Sequence, residues 1–372
     1  MHSSKFHIGP FQPDLPIVQG GMGVGISLSG LASAVAEAGG IGIISTVAAG
    51  MMEPDGRTNF REANLRALRR ELRRARRLTD GVIGLNIMVA LTDYQDLVDC
   101  AVDEEADILF LGAGLPLRFS PRLPPERLRT VRSRFVPIVS SDRAVHLIFR
   151  HWAKKFGRVP DAVVVEGPLA GGHLGFGREQ INDPAFALEN LVPKVKAAAS
   201  AYEEFHGEEI PVIAAGGIFS GGDIRKFLEM GAAGVQLGTR FVATHECDAD
   251  IRFKQAYLNA SREDLVIIDS PVGMPGRAVR NRFLDEMTAG GRRPFRCSWK
   301  CLKSCRFQTA PYCIAAALDR ARTGEMEDGF AFAGANAHRV DRIMPVRELI
   351  ASLRREFRAA APLRPAPRPA AA

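Results

Sequence analysis

Ala162-Val-Val-Val-Glu-Gly-Pro-Leu-Ala-Gly-Gly-His-Leu-Gly-Phe-Gly177 joins a short apolar run to a loop that holds one histidine among five glycines. An apolar run without polar alternation suits a strand buried on both faces, which in turn requires helices on both sides of a parallel sheet. The loop beyond such a strand lies at its carboxyl end, where glycines let the backbone turn sharply and come close to a bound ring or phosphate. His173 is the proton handler of this loop, since its ordinary pKa lies near neutrality. The plainer alternative is a connection whose histidine caps a helix or satisfies a carbonyl.

Seven further runs of the same kind stand at 15–22, 41–45, 81–89, 107–111, 135–139, 211–215 and 233–237. Segments of helical composition separate them, at 29–38, 66–77, 93–103, 125–132, 143–155, 184–202 and 221–230. Eight buried strands, each followed by a helix, predict an α/β fold, the (β/α)₈ TIM barrel. A doubly wound sheet is the alternative, although it usually has fewer strands and one Gly-rich fingerprint near its start. In a barrel the function lies at the carboxyl ends of the strands, which here means 20–23, Asn86, 112–114, Ser140, 171–177, 216–217 and 238–239.

The 372 residues, 46% of them hydrophobic, suffice for one large domain with an appendage. The formal net charge of +7 is mostly dispersed, and its dense part, Arg66 to Arg77, has the spacing of an amphipathic helix. A solvated helix face explains it better than a nucleic-acid site. No apolar run approaches the length needed to cross a bilayer, and Met1–His7 lacks the apolar core of a signal peptide, so the expected location is cytoplasmic. Six cysteines in such a chain point to thiols, metal ligation or a cluster rather than disulfides.

Pro211-Val-Ile-Ala-Ala-Gly-Gly-Ile218 and Gly234-Val-Gln-Leu-Gly-Thr-Arg240 place glycines at the ends of the last two strands. Barrels commonly build a phosphate site there from backbone amides and a helix N-terminus. Together with Gln19-Gly-Gly-Met22, Gly84-Leu-Asn-Ile-Met88 and Glu166-Gly-Pro-Leu-Ala-Gly-Gly-His173, these motifs resemble the nitronate monooxygenase family, formerly the 2-nitropropane dioxygenases. The flavin-dependent enoyl-ACP reductases share the barrel and several motifs. The resemblance, over about residues 10–290, implies an FMN-dependent oxidoreductase. It implies that Gly21, Met22, Asn86, Gly171 and Gly172 line the flavin. Gly216, Gly217, Gly238 and Thr239 would hold its phosphate, with Gln236 near the ring and His173 as the catalytic acid or base.

Two reactions fit that resemblance: oxidation of alkyl nitronates with dioxygen, and NAD(P)H-dependent reduction of an enoyl thioester. A non-catalytic flavin- or phosphate-binding barrel, its Arg-rich helix meeting RNA or an acidic partner, is the reading from another class. A small-molecule substrate is the expected partner, and a homodimer is an open alternative to a monomer.

Four of the six cysteines, Cys297, Cys301, Cys305 and Cys313, lie within seventeen residues, a departure from simpler members of the family. Were 297–305 helical, cysteines four apart would share a face and the Pro311-Tyr312 turn would return Cys313 to the same centre. Four thiolates suit a [4Fe–4S] cluster or a structural zinc, with unligated or redox-active thiols as the remaining reading. The expected organisation is a barrel over 1–290, a Cys-rich, mainly helical extension over 291–357 and a disordered Ala/Pro/Arg tail over 358–372.

Overall fold

In the computed structural model, residues 6–362 are described. Strands and helices alternate from the start: β1 (Ile17–Gln19), α1 (Ser29–Glu37), β2 (Gly42–Ser45), α2 (Phe60–Leu78), β3 (Ile83–Met88), α3 (Tyr94–Asp103), β4 (Ile108–Gly112), α4 (Pro125–Thr130), β5 (Arg134–Val139), α5 (Asp142–Phe156) and β6 (Val163–Glu166). After the short β7 (Gly172–His173) come α6 (Leu188–Ser200), α7 (Glu203–His206), β8 (Val212–Ala215), α8 (Gly221–Glu229), β9 (Gly234–Leu237) and α9 (Thr239–Val242). The remainder runs through α10 (Ile251–Leu258), β10 (Leu265–Asp269), β11 (Pro275–Val279), α11 (Arg282–Thr288), α12 (Ile314–Arg322) and α13 (Val346–Ala359).

All eight expected strands form one parallel sheet in the order β1-β9-β8-β6-β5-β4-β3-β2. The sheet closes because Ile41 N donates to Ile17 O and Gln19 N to Ile41 O, both at 2.9 Å. Buried Gln19 reinforces the seam: its Oε1 accepts from Ile43 N at 2.9 Å and its Nε2 donates to Gly20 O. The chain thus forms the (β/α)₈ barrel that its eight apolar runs predict.

Alternation along each strand divides the apolar residues between two cores. Val18, Ile43, Phe110, Val136, Val164 and Ile213 fill the barrel interior, whereas Ile44, Leu85, Leu109, Phe135, Val163 and Val235 meet the helices. Phe6, Ile8 and Phe11 join the inner core and plug its amino-terminal end. With that end closed by side chains, only the carboxyl end is free to hold a ligand.

The arginines of α2 are largely engaged with carboxylates. Arg61 pairs with Asp96, Arg66 with Asp55, Arg70 with Glu53 and Glu71, Arg73 with Glu104, and Arg76 with Asp107. Leu68, Leu72 and Ala75 bury the opposite side of the helix. This is the solvated face expected from the sequence, and the exposed pairs, unlike those to buried Glu71 and Asp107, add little stability individually. Among the described residues, no helix is long and apolar enough to cross a membrane.

Three features depart from expectation. A second, antiparallel sheet, β10-β11-β7, sits above the barrel, with Gly276 opposite His173 and Arg277 opposite Gly172. The cysteine segment 297–305 is irregular rather than helical, and between 291 and 357 the α-helices are α12 and the first twelve residues of α13. The physical reason is that its backbone bonds go outward: Thr92 N donates to Cys301 O at 3.1 Å and Lys303 N to Ala90 O at 3.0 Å. Finally, α13 continues through Arg358 and Ala359, so the expected tail starts too early; residues 363–372 lie outside the described residues.

Candidate active site

A cavity of about 340 Å³ opens at the carboxyl ends of the strands. Gly21 and Met22 after β1, Asn86 of β3, Gly171, Gly172 and His173, Gly216 and Gly217 after β8, and Gln236, Gly238 and Thr239 around the end of β9 all line it. Every flavin or catalytic residue expected from the sequence therefore borders one space. Gly112 and Ser140 do not line it, although Ala113 does.

The side of the cavity made by β8 and β9 suits a phosphate, but not by the route expected. Gly216 and Gly217 are consecutive left-handed residues with φ of +94° and +85°. A side chain at Gly216 would come within 2.7 Å of Gly167 O. Asn336 Nδ2 donates to Gly217 O at 2.6 Å and holds that turn from outside the barrel. The N-terminus of α8 is already used: Ser220 Oγ accepts from Asp223 N at 3.2 Å and Glu356 Oε2 accepts from Gly221 N at 2.7 Å. A phosphate here would rest on the glycine turns and Thr239 rather than on α8.

Two further observations fit a bound flavin. Gln236 Oε1 is buried without a hydrogen-bond partner, a cost of about 1–3 kcal/mol that a ligand donor would relieve. The space beside Gly238 is open, since an added Cβ would meet only Met22 Sδ, at 3.8 Å. The remaining lining is largely apolar, with Val47, Ile218, Phe253, Tyr257, Leu318 and Phe332 among it.

His173 is held by the second sheet. Its Nε2 lies 2.8 Å from Ser270 Oγ, and its ring stands edge-on to Phe332 at 5.1 Å between centroids. Burial holds its pKa down at about 4, so the imidazole is neutral at physiological pH. Glu166, at the end of β6, borders the same cavity, and burial raises its carboxyl to about 7. Among the described residues, burial is the only influence on that carboxyl, with no hydrogen bond or charged partner acting on it.

Sequence reasoning missed Ser270 and Arg277. Buried Arg277 donates to Pro168 O at 2.6 Å and to Ala170 O at 2.7 Å, which fixes the loop that carries His173. Burial lowers its pKa to about 10, and its charge is spread over carbonyls rather than matched by a carboxylate. Tyr257 donates to Phe332 O, anchoring the covering segment in which Phe332, Ala333, Gly334 and Asn336 reach the cavity. His338 instead contacts Ala335 O at 3.1 Å through Nδ1. Ser270 and Arg277 belong to a hairpin whose sequence has no motif character. The apolar run 265–268 was the available signal.

The sequence pattern of the family described as nitronate monooxygenase matches residues 5–356. The chain belongs to the nitronate monooxygenase family. Like that family, it is a flavin-dependent oxidoreductase acting on a small molecule. A relative in Bacillus subtilis (strain 168), named "Probable nitronate monooxygenase", is 27% identical over 300 residues, 73% of this chain and 78% of the relative. A relative in Mycobacterium tuberculosis is named (3aS,4S,5R,7aS)-5-hydroxy-7a-methyl-1-oxo-octahydro-1H-indene-4-carboxyl-CoA dehydrogenase. It is 29% identical over 277 residues, 74% of this chain and only 66% of the relative's own length. Among solved structures, FabK from Thermotoga maritima superimposes with a TM-score of 0.71 at 30% identity, covering 93% of each chain. Nitroalkane oxidase from Streptomyces ansochromogenes shares the fold, with a TM-score of 0.70 at 24% identity, covering 93% of this chain and 96% of that one.

The four clustered cysteines do not enclose a single ion. All are free, and among the described residues no three His, Cys, Asp or Glu side chains are close enough to hold one metal ion. Among the described residues, then, no single-ion site is formed of the kind needed by the zinc that the sequence offered as an alternative to a [4Fe–4S] cluster. Instead Cys297, Cys301, Cys305 and Cys313 line a second cavity of about 210 Å³. Cys100 and Cys247 are buried elsewhere, and burial raises both thiols to about 11.

Proposed function

We propose that the chain is an FMN-dependent oxidoreductase of the nitronate monooxygenase type, oxidising alkyl nitronates with dioxygen. The observation that carries this reading is the convergence of His173, Glu166 and the glycine turns on one apolar cavity at the carboxyl end of the barrel. Gly216, Gly217, Gly238 and Thr239 would hold the FMN phosphate, and Gln236 Oε1 would accept a hydrogen bond from the ring. The flavin held there would supply the redox chemistry, with dioxygen as the final electron acceptor.

His173 does the proton work. In the tautomer with the proton on Nε2, that N–H donates to Ser270 Oγ and Nδ1 keeps a lone pair, placed to take the α-proton of a nitroalkane and so form the nitronate that is oxidised. Ser270 orients the ring without touching substrate itself. Ser270→Ala is expected to lower kcat by roughly 3–10-fold, the rate equivalent of about 1 kcal/mol, with little change in KM. Steady-state kinetics at saturating substrate checks this.

Glu166 offers the cavity a carboxyl whose pKa sits above its ordinary value of 4.5, at about 7. Its contribution to stability is complete below pH 4.5 and lost as pH rises through 7, because the unfolded chain then tolerates the charge better. Glu166→Gln is expected to match the parent in urea at pH 4 and to exceed it at pH 8, by up to ~3 kcal/mol. Equal differences at both pH values would show that the carboxyl is not strained by burial.

A thioester substrate is the second reading, favoured by the mycobacterial relative named as a CoA-ester dehydrogenase. Oxygen uptake on addition of an alkyl nitronate tests the first reading, and NAD(P)H consumption with an enoyl thioester tests the second. If the purified flavoprotein turns over thioesters and not nitronates, the first reading fails.

A further inference from the structure

We propose that Cys297, Cys301, Cys305 and Cys313 ligate a [4Fe–4S] cluster in the cavity beside the flavin site. The four residues come from two separate pieces of chain, an irregular segment and the position preceding α12, and all four border the same space. A tetrahedral zinc with Zn–S bonds near 2.3 Å would draw its sulfurs to within about 3.8 Å of one another. Among the described residues, no group of three His, Cys, Asp or Glu side chains could hold one metal ion. A cubane cluster holds its thiolates farther apart, with iron and sulfide between them, and so matches four cysteines arranged around a cavity rather than on a point.

The surroundings suit an anionic group. Four thiolates on a [4Fe–4S]²⁺ core carry a net charge of −2. From 292 to 313 the chain has Arg292, Arg296, Lys300, Lys303 and Arg306, besides Arg293, which pairs with Glu286 and Asp328, and it has no acidic residue. Lys300 and Lys303 line the cavity itself. Lys300 N donates to Cys297 Sγ at 3.2 Å, the amide-to-sulfur bond that tunes such clusters. Lys300 takes a left-handed φ of +45°, an uncommon conformation for a side-chain-bearing residue, and thereby folds Cys297 and Cys301 toward one space. Cys313 occupies the N-cap of α12, where the unpaired amides of the first turn favour a thiolate.

The segment is built onto the barrel in a fixed position. Lys303 Nζ donates to Val89 O at 2.8 Å and Thr92 Oγ1 to Lys300 O at 2.9 Å, so the loop after β3 carries it. Cys301, Leu302, Ile314 and Ala315 line both cavities and form the wall between them. A cluster there would stand directly against the flavin cavity.

The test is the composition of the full-length protein purified without oxygen. About four iron and four acid-labile sulfide per chain are expected beside one flavin. Anaerobic titration with dithionite is expected to consume about three electron equivalents, two for flavin and one for the cluster, where a flavin alone takes two. Cys305→Ser should lower the iron content by a quarter or more with the flavin retained, whereas Cys100→Ser should leave it unchanged. Zinc without sulfide overturns the proposal. So does parent protein that takes up neither iron nor sulfide after anaerobic reconstitution while binding flavin, or a Cys305→Ser chain that keeps the full complement. None of these readings requires turnover, so they stand apart from the choice between nitronate and thioester.

Discussion

With a neutral nitroalkane as substrate, His173→Ala is expected to slow oxidation by roughly 10²–10⁴-fold while leaving flavin bound. The side chain contributes its imidazole to the cavity, but its place in the fold is made by backbone pairing with Gly276 in β11, which alanine preserves. Loss of the ring removes the contacts with Ser270 and Phe332 and nothing on which the barrel depends. Since burial holds the imidazole at about 4, the parent should keep its base active down to mildly acid pH. Its acid limb in kcat/KM should fall near pH 4 rather than at the ordinary 6.5. Stopped-flow reduction of the flavin by substrate separates this step from reoxidation. A variant that reduces its flavin at the parental rate would remove His173 from the mechanism.

Gly238→Leu is the complementary change, directed at the flavin and not at the proton. Most glycines around the cavity cannot be used for this purpose, because a side chain there strikes the protein; at Gly171 it would lie 2.6 Å from Ala333 C. Gly238 differs: its φ is −112°, which any residue adopts, and its missing Cβ points into open space. Leucine is therefore expected to leave the fold and thermal stability near the parent's while filling the volume assigned to the phosphate. Flavin affinity should fall at least ~100-fold, or about 2.7 kcal/mol. The purified variant should then be close to colourless and recover little activity with added FMN. Full flavin occupancy in a stably folded Gly238→Leu would place the phosphate elsewhere.

The position of the site was legible early because a barrel binds at one end only. Once the eight apolar runs are taken as buried strands, the residues following each are committed to that end, and Asn86, His173, Gly216 and Gly238 fall together without further information. The cysteines show the opposite case. Their spacing of four suggests a helix face, yet Thr92 and Ala90 draw the segment into an irregular path. Convergence of the thiols comes from that docking and from the return through Tyr312, not from local periodicity.

By itself the sequence determined the barrel, its open end and the set of groups gathered there, because strand burial and βα alternation are written in residues near one another. Tertiary structure alone decided how those groups are held. Ser270 meets His173 across 97 positions of sequence. Arg277 grips the carbonyls of Pro168 and Ala170 from a hairpin with no motif, and Glu356 of α13 occupies the helix N-terminus that a phosphate would otherwise have taken. Each is a single polar contact between distant segments. A lone hydrogen bond imposes no period on the chain, so it becomes visible only when packing has brought its two ends together.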